Sequence, residues 1–189
     1  MSGSFGFQGG GGSSGTPPTV NYGLFAQTQT SNAATGIFEK SIIGTGVGTL
    51  TVPKNSFKVG DSFTCSLDGE ISCIGSATLH IHVKTTAGVI LADTGIIAMA
   101  VTTGKAWTLD VHFTIRKIGT PLVAIISSGG LFSYIKDAGL NFEGFVLSTI
   151  NNTTFNTSVD NTLEVTAQWN SASLINKIAS TNFVLNKTY

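Results

Sequence analysis

Charge is what this sequence lacks most. Ten basic and ten acidic residues in 189, only 11% of the chain, cancel to a formal charge of zero. No run of Lys or Arg is long enough to neutralise several phosphates, so nucleic acid is not an expected partner and neither is an anionic membrane surface. Long apolar stretches are missing too, and no window approaches the roughly 18 apolar residues of a membrane-spanning helix. The opening MSGSFGFQGGGG places no basic segment ahead of an apolar one, so no secretory signal is expected, and synthesis is assigned to the cytosol. Without a signal, the N-x-[ST] triplets headed by Asn151, Asn152, Asn156 and Asn186 read as products of an Asn/Thr-rich surface.

Cysteine is equally scarce. Cys65 and Cys73 are too few for a disulfide framework or a four-ligand zinc site. Two alternatives remain for them, a cross-link between facing positions of a hairpin or two small buried thiols in a reducing compartment.

What is abundant is apolar residues, at 41%, and glycine, with 23, set among Ser, Thr and Asn. That balance describes a β-protein with many turns, long enough for one domain with a sizeable core. Residues 1–18 form a Gly/Ser tract closed by Pro17 and Pro18, which cannot bury enough apolar area to offset its backbone entropy. They are read as a flexible tail, and 19–189 as a single domain. Phe5 and Phe7 in the tail are either a docking peptide or incidental aromatics.

From Thr35 onward, short runs of β-branched and aromatic residues alternate with Gly, Asn and Asp. Strands are predicted over 36–43, 48–52, 62–67, 77–84, 89–93, 107–117, 122–126, 142–149, 162–168 and 182–186. The clearest period of two sets Trp107, Leu109, Val111, Phe113 and Ile115 against Thr108, Asp110, His112, Thr114 and Arg116. The same rule turns Leu79, Ile81 and Val83 inward with His80, His82 and Lys84 outward, and sets Leu163, Val165 and Ala167 opposite Glu164, Thr166 and Gln168. Alternation of this kind marks antiparallel sheets with one face on a shared core. The expected fold is therefore an all-β antiparallel sandwich, most economically a jelly roll, with Pro53 and Pro121 guarding strand boundaries.

His80 and His82, two apart on one strand, project from the same face, as two imidazoles offered to one metal do. An HxH pair in a jelly roll is similar to the cupin motif, but the VKTTAGV that follows has no carboxylate at the cupin spacing, and the context of His112 is unlike the second cupin motif. The histidines therefore read either as a solvated or subunit-facing sheet surface or as a three-histidine metal site of His80, His82 and His112. If they face one another around a symmetry axis, their titration tunes assembly.

Other chemistry is thin. There is no G-x-S-x-G elbow, and Asp68 and Glu70 around Gly69 read as a turn, as does Asp160 beside Asn161. ISSGGLF (126–132) and GTGVG (44–48) lack the ending of a phosphate loop and read as loops. Trp107 is placed in the core; Trp169 either caps the core or lines a subunit contact. No enzyme activity and no cofactor is expected.

Four segments carry a resemblance: TLTVPKNSFKVGDSFTCSLDGEIS (49–72), ATLHIHVKTTAGVILADTG (77–95), KAWTLDVHFTIRKIG (105–119) and SVDNTLEVTAQWNSAS (158–173). In this order they resemble small jelly-roll virion proteins of large DNA viruses and bacteriophages: fibre, spike or capsid-decoration modules. The resemblance implies a virion surface component with a tumour-necrosis-factor-like or C1q-like fold, commonly a homotrimer contacting other virion proteins. It also implies a host-surface glycan or receptor as a further partner, met by variable loops such as 127–141 or 149–161. A mean hydropathy of +0.28 with few charges fits a chain that buries sheet surface in a closed oligomer.

Overall fold

The computed structural model describes residues 22–136 and 141–188. Among them every regular element is a strand: β1 (Tyr22–Gln27), β2 (Lys40–Ser41), β3 (Gly46–Gly48), β4 (Thr51–Val52), β5 (Ser62–Cys73), β6 (Thr78–Thr85), β7 (Ile90–Asp93), β8 (Ile97–Ala98), β9 (Thr102–Ile118), β10 (Val123–Lys136), β11 (Asn141–Asn156), β12 (Asn161–Trp169) and β13 (Lys177–Lys187). The tail expected over 1–18, with Phe5 and Phe7, lies outside the described residues.

All strand pairs are antiparallel, in two sheets. One has the order β11-β10-β9-β5-β13-β1-β3; the other runs β2-β12-β6-β7, with β4 on β12 and β8 on β6. The period of two decides which side chains meet. Phe63, Cys65 and Leu67 of β5 and the Trp107 to Ile115 series of β9 line the first sheet's inner face, and Leu79, Ile81 and Val83 of β6 with Leu163, Val165 and Ala167 of β12 line the second's; all are buried. Each leucine, isoleucine, valine or phenylalanine among them contributes about 1.5–3 kcal/mol on leaving water. The two layers share one continuous core, the sandwich that alternation predicts.

Several strands run further than the sequence reading placed them. Asp68, Gly69 and Glu70 lie inside β5 rather than in a turn, because Gly69 lets β13 pass at close range: a Cβ there would stand 2.0 Å from the Ala179 carbonyl oxygen. ISSGGLF lies within β10, and the variable loops placed at 127–141 and 149–161 are largely strand, 127–136 in β10 and 149–156 in β11. GTGVG ends in β3. A glycine has no side chain to pack but leaves the backbone ladder intact, so it weakens a strand without ending it.

Two segments fared differently. β1 precedes the first expected strand; its Phe25 stacks obliquely on Phe183 at 5.5 Å. Of the strand expected over 36–43 only Lys40–Ser41 joins a ladder. Cys65 and Cys73 share β5, so they cannot oppose each other across a hairpin; both are buried thiols. Burial, helped by the nearby Asp110 carboxylate, pushes the Cys65 thiol up.

Candidate functional site

The outer face of the β2-β12-β6-β7 sheet collects the polar side chains that alternation turns away from the core. β6 supplies His80, His82 and Lys84, each flanked by fully buried neighbours such as Ile81 and Val83. The ladder sets His82 between Thr166 of β12 and Asp93 of β7, and Lys84 opposite Glu164. Asp93 is held by a tight turn: its Oδ1 accepts from the Gly95 amide, and Gly95 sits at φ +63°, where a side chain would be strained. Thr94 ties that turn to β6 by accepting from the Ile81 amide at 3.0 Å.

The distances define a compact cluster. His80 Nε2 lies 2.7 Å from Asp93 Oδ1, His82 Nε2 lies 3.6 Å from Asp93 Oδ2, and the two imidazole centroids are 3.9 Å apart. Side-chain exposures of 23%, 16% and 36% for His80, His82 and Asp93 leave them half-buried but reachable. Glu39, just before β2, folds over the far side of His82. Its Oε1 lies 2.6 Å from His82 Nδ1 and accepts from the Thr166 hydroxyl, while Oε2 accepts from Lys84 Nζ at 2.6 Å. Burial alone would raise the Glu39 carboxyl, but the bonds from Lys84, Thr166 and His82 outweigh it and hold it at about 2. A pocket of about 160 Å³ opens beside His80, with Ile96, Gln168 and Asn170 in its wall.

The three-histidine grouping does not form. His112 stands exposed on β9, on the outer face of the other sheet, opposite Gly129 of β10. In its place the fold brings Asp93, eleven positions beyond His82, and Glu39 from a separate segment. Asp93 was within reach of hairpin reasoning: two strands ending near Lys84 and beginning near Val89 must pair, and that pairing carries Asp93 to His82. Glu39 had no such signal, because only tertiary packing lays its segment across β12. The histidines also face outward from the sandwich, whereas the cupin comparison would put them inside.

Both tryptophans are buried at 1% exposure. Trp107 Nε1 donates to the Ala179 carbonyl at 3.1 Å and Trp169 Nε1 to the Ala34 carbonyl at 2.9 Å, so Trp169 caps the core. Neither offers a ring to a sugar. Large apolar side chains are exposed elsewhere, at the outer edge of the seven-stranded sheet. Phe142 of β11 is 72% and Val146 77% exposed, and Leu131 of β10, the ladder partner of Val146, is 47% exposed. Beneath this strip Tyr134 donates to Glu143 Oε2 at 2.6 Å and accepts from the Ala100 amide, and burial together with the Glu143 carboxylate pushes its phenol up.

No protein-family model matches this chain, and none of the curated proteins or solved structures searched matches it.

Proposed function

We propose that this chain is a non-enzymatic structural module of a virion surface, a jelly roll of the tumour-necrosis-factor-like kind that assembles as a homotrimer and serves particle assembly or host attachment. The observation that carries the assembly reading is the apolar strip Phe142, Val146 and Leu131. It lies along β11, a 16-residue strand whose only ladder partner among the described residues is β10. A long edge strand with exposed apolar side chains is a template for association, and a closed ring of identical copies covers it without leaving a free edge. A formal charge of zero offers little repulsion between copies.

Strand order supports the jelly-roll part. The first and last described strands, β1 and β13, are neighbours, β5 lies between β13 and β9, and β12 of the facing sheet lies beside β6. The chain therefore crosses between layers repeatedly, as in a double Greek key, with the β10–β11 hairpin extending one sheet. The four segments that resemble virion proteins include most of β5, β6, β7, β9 and β12. The trimer and the virion assignment come from that resemblance, and a host-surface glycan or receptor is the partner such a module would meet.

Light scattering on the size-exclusion peak tests the assembly claim. The expected mass is three chains for the parent and one for Val146→Asp; a monomeric parent overturns it. Quantitative mass spectrometry of purified particles from the source tests the location, with the chain expected at high copy and its absence decisive against the reading.

A further inference from the structure

We infer that His80, His82 and Asp93 form a binding site for one divalent transition-metal ion, zinc above all, with Glu39 as the group that orients His82. This goes beyond the assembly reading and uses a different face of the molecule.

The donor set is the first argument. Two imidazole nitrogens and one carboxylate, each offering an atom within 4.8 Å of the others, suit zinc and its first-row neighbours and are too few and too nitrogen-rich for calcium. Ligands around a tetrahedral zinc at about 2.0–2.1 Å stand about 3.3 Å from one another. The separations of 2.7 Å from His80 Nε2 to Asp93 Oδ1 and 3.6 Å from His82 Nε2 to Asp93 Oδ2 bracket that value. Small side-chain rotations about the Asp93 carboxylate therefore suffice to admit the ion, with no backbone movement asked of either strand.

The second argument is the orientation of His82. The Glu39 carboxylate, paired with Lys84 Nζ at 2.6 Å, has only acceptor oxygens, so the 2.6 Å contact with His82 Nδ1 makes that nitrogen the donor. In the neutral ring the proton then sits on Nδ1, which leaves the Nε2 lone pair 3.6 Å from Asp93 Oδ2. Two acceptors at that separation repel unless a proton or a metal cation lies between them. A carboxylate behind a histidine is also the arrangement that fixes the ring and raises the basicity of a metal-ligating imidazole. Lys84 and Glu164, with Nζ and Oε2 4.0 Å apart, also lie on this face, and the Lys84 charge is taken up by Glu39. Three protein ligands leave a fourth position for water or a ligand donor, and the pocket beside His80 gives a way in.

The test uses the full, tag-free chain, stripped with a chelator and titrated with zinc chloride by calorimetry at neutral pH. One equivalent is expected to bind and to raise the thermal midpoint, and an equal concentration of calcium is expected not to compete. His82→Gln and Asp93→Asn should each weaken binding by tenfold or more, Glu39→Gln by about ten- to a hundredfold, and His112→Gln not at all. To keep the test independent of variant folding, the parent's three imidazoles are followed by nitrogen NMR during the titration. His80 and His82 should shift with zinc while His112 does not. Absence of saturable zinc binding, competition by calcium, or a response centred on His112 would each overturn the site.

Discussion

Ile81 shows how a single side chain carries both packing and site. It is fully buried between His80 and His82, so its inward face anchors the strand that presents both rings. Truncating Ile81→Ala removes transfer energy and leaves a cavity, and urea denaturation should show a loss of about 2–5 kcal/mol. Glu39 sets a pH dependence. Its carboxyl titrates at 4.5 in the unfolded chain and at about 2 in the folded one, so folding favours the ionised form. That contribution is complete above 4.5 and is lost as pH falls from there through about 2. Glu39→Gln, compared with the parent in the presence of a chelator, should flatten the stability curve across that window; an unchanged slope would refute the assignment. Cys65 and Cys73, both essentially inaccessible, should resist a thiol reagent in the native protein and react fully in denaturant.

Strand β5 is the longest surprise among the elements, because a turn reading of Asp68–Gly69–Glu70 would have ended it at its middle. The glycine is there for the crossing of β13, whose register shifts between Ser180 and Asn182 at that point. Gly69→Ala should cost about 1–3 kcal/mol, since the Cβ meets a backbone carbonyl that cannot swing aside. Near-parent stability on chemical denaturation would show that the bulge yields. The alternating pattern gave the central strands their identity and their facing, and β6, β9 and β12 lie where it put them. It stopped before Gly129 and Gly130 in β10 and before Asn151 and Asn152 in β11, because a local pattern sees residues that favour turns and not the intact hydrogen-bond ladder on either side. β1 was passed over because YGLFAQ is short and, among its described side chains, buries only Phe25 well.

Across the whole molecule the ladder joins distant parts of the chain. β13 is flanked by β5 and β1, so the last strand fills the gap between two strands from the amino-terminal half. A chain truncated before Lys177 would leave both partners with open edges and uncover Phe25 and Leu67. It should lose cooperative thermal unfolding by circular dichroism, whereas a retained sharp transition would mean the remaining strands close on themselves. Pairings between such separated segments also make folding slow for a protein of this size.

The order of side chains along each strand was enough to determine an all-β antiparallel sandwich, the inward faces of β6, β9 and β12, and the burial of Trp107, because a period of two is a property of neighbouring residues alone. Apart from the β6–β7 hairpin that carries Asp93 to His82, which strands adjoin, and so which outward groups share a surface, was decided only in three dimensions. His80 and His82 met Asp93 and Glu39 instead of His112 because β6 pairs with β7 and β12, while β9 belongs to the opposite layer. Ladder partners are chosen by the packing of two whole sheets, and that choice is not written at the positions it brings together.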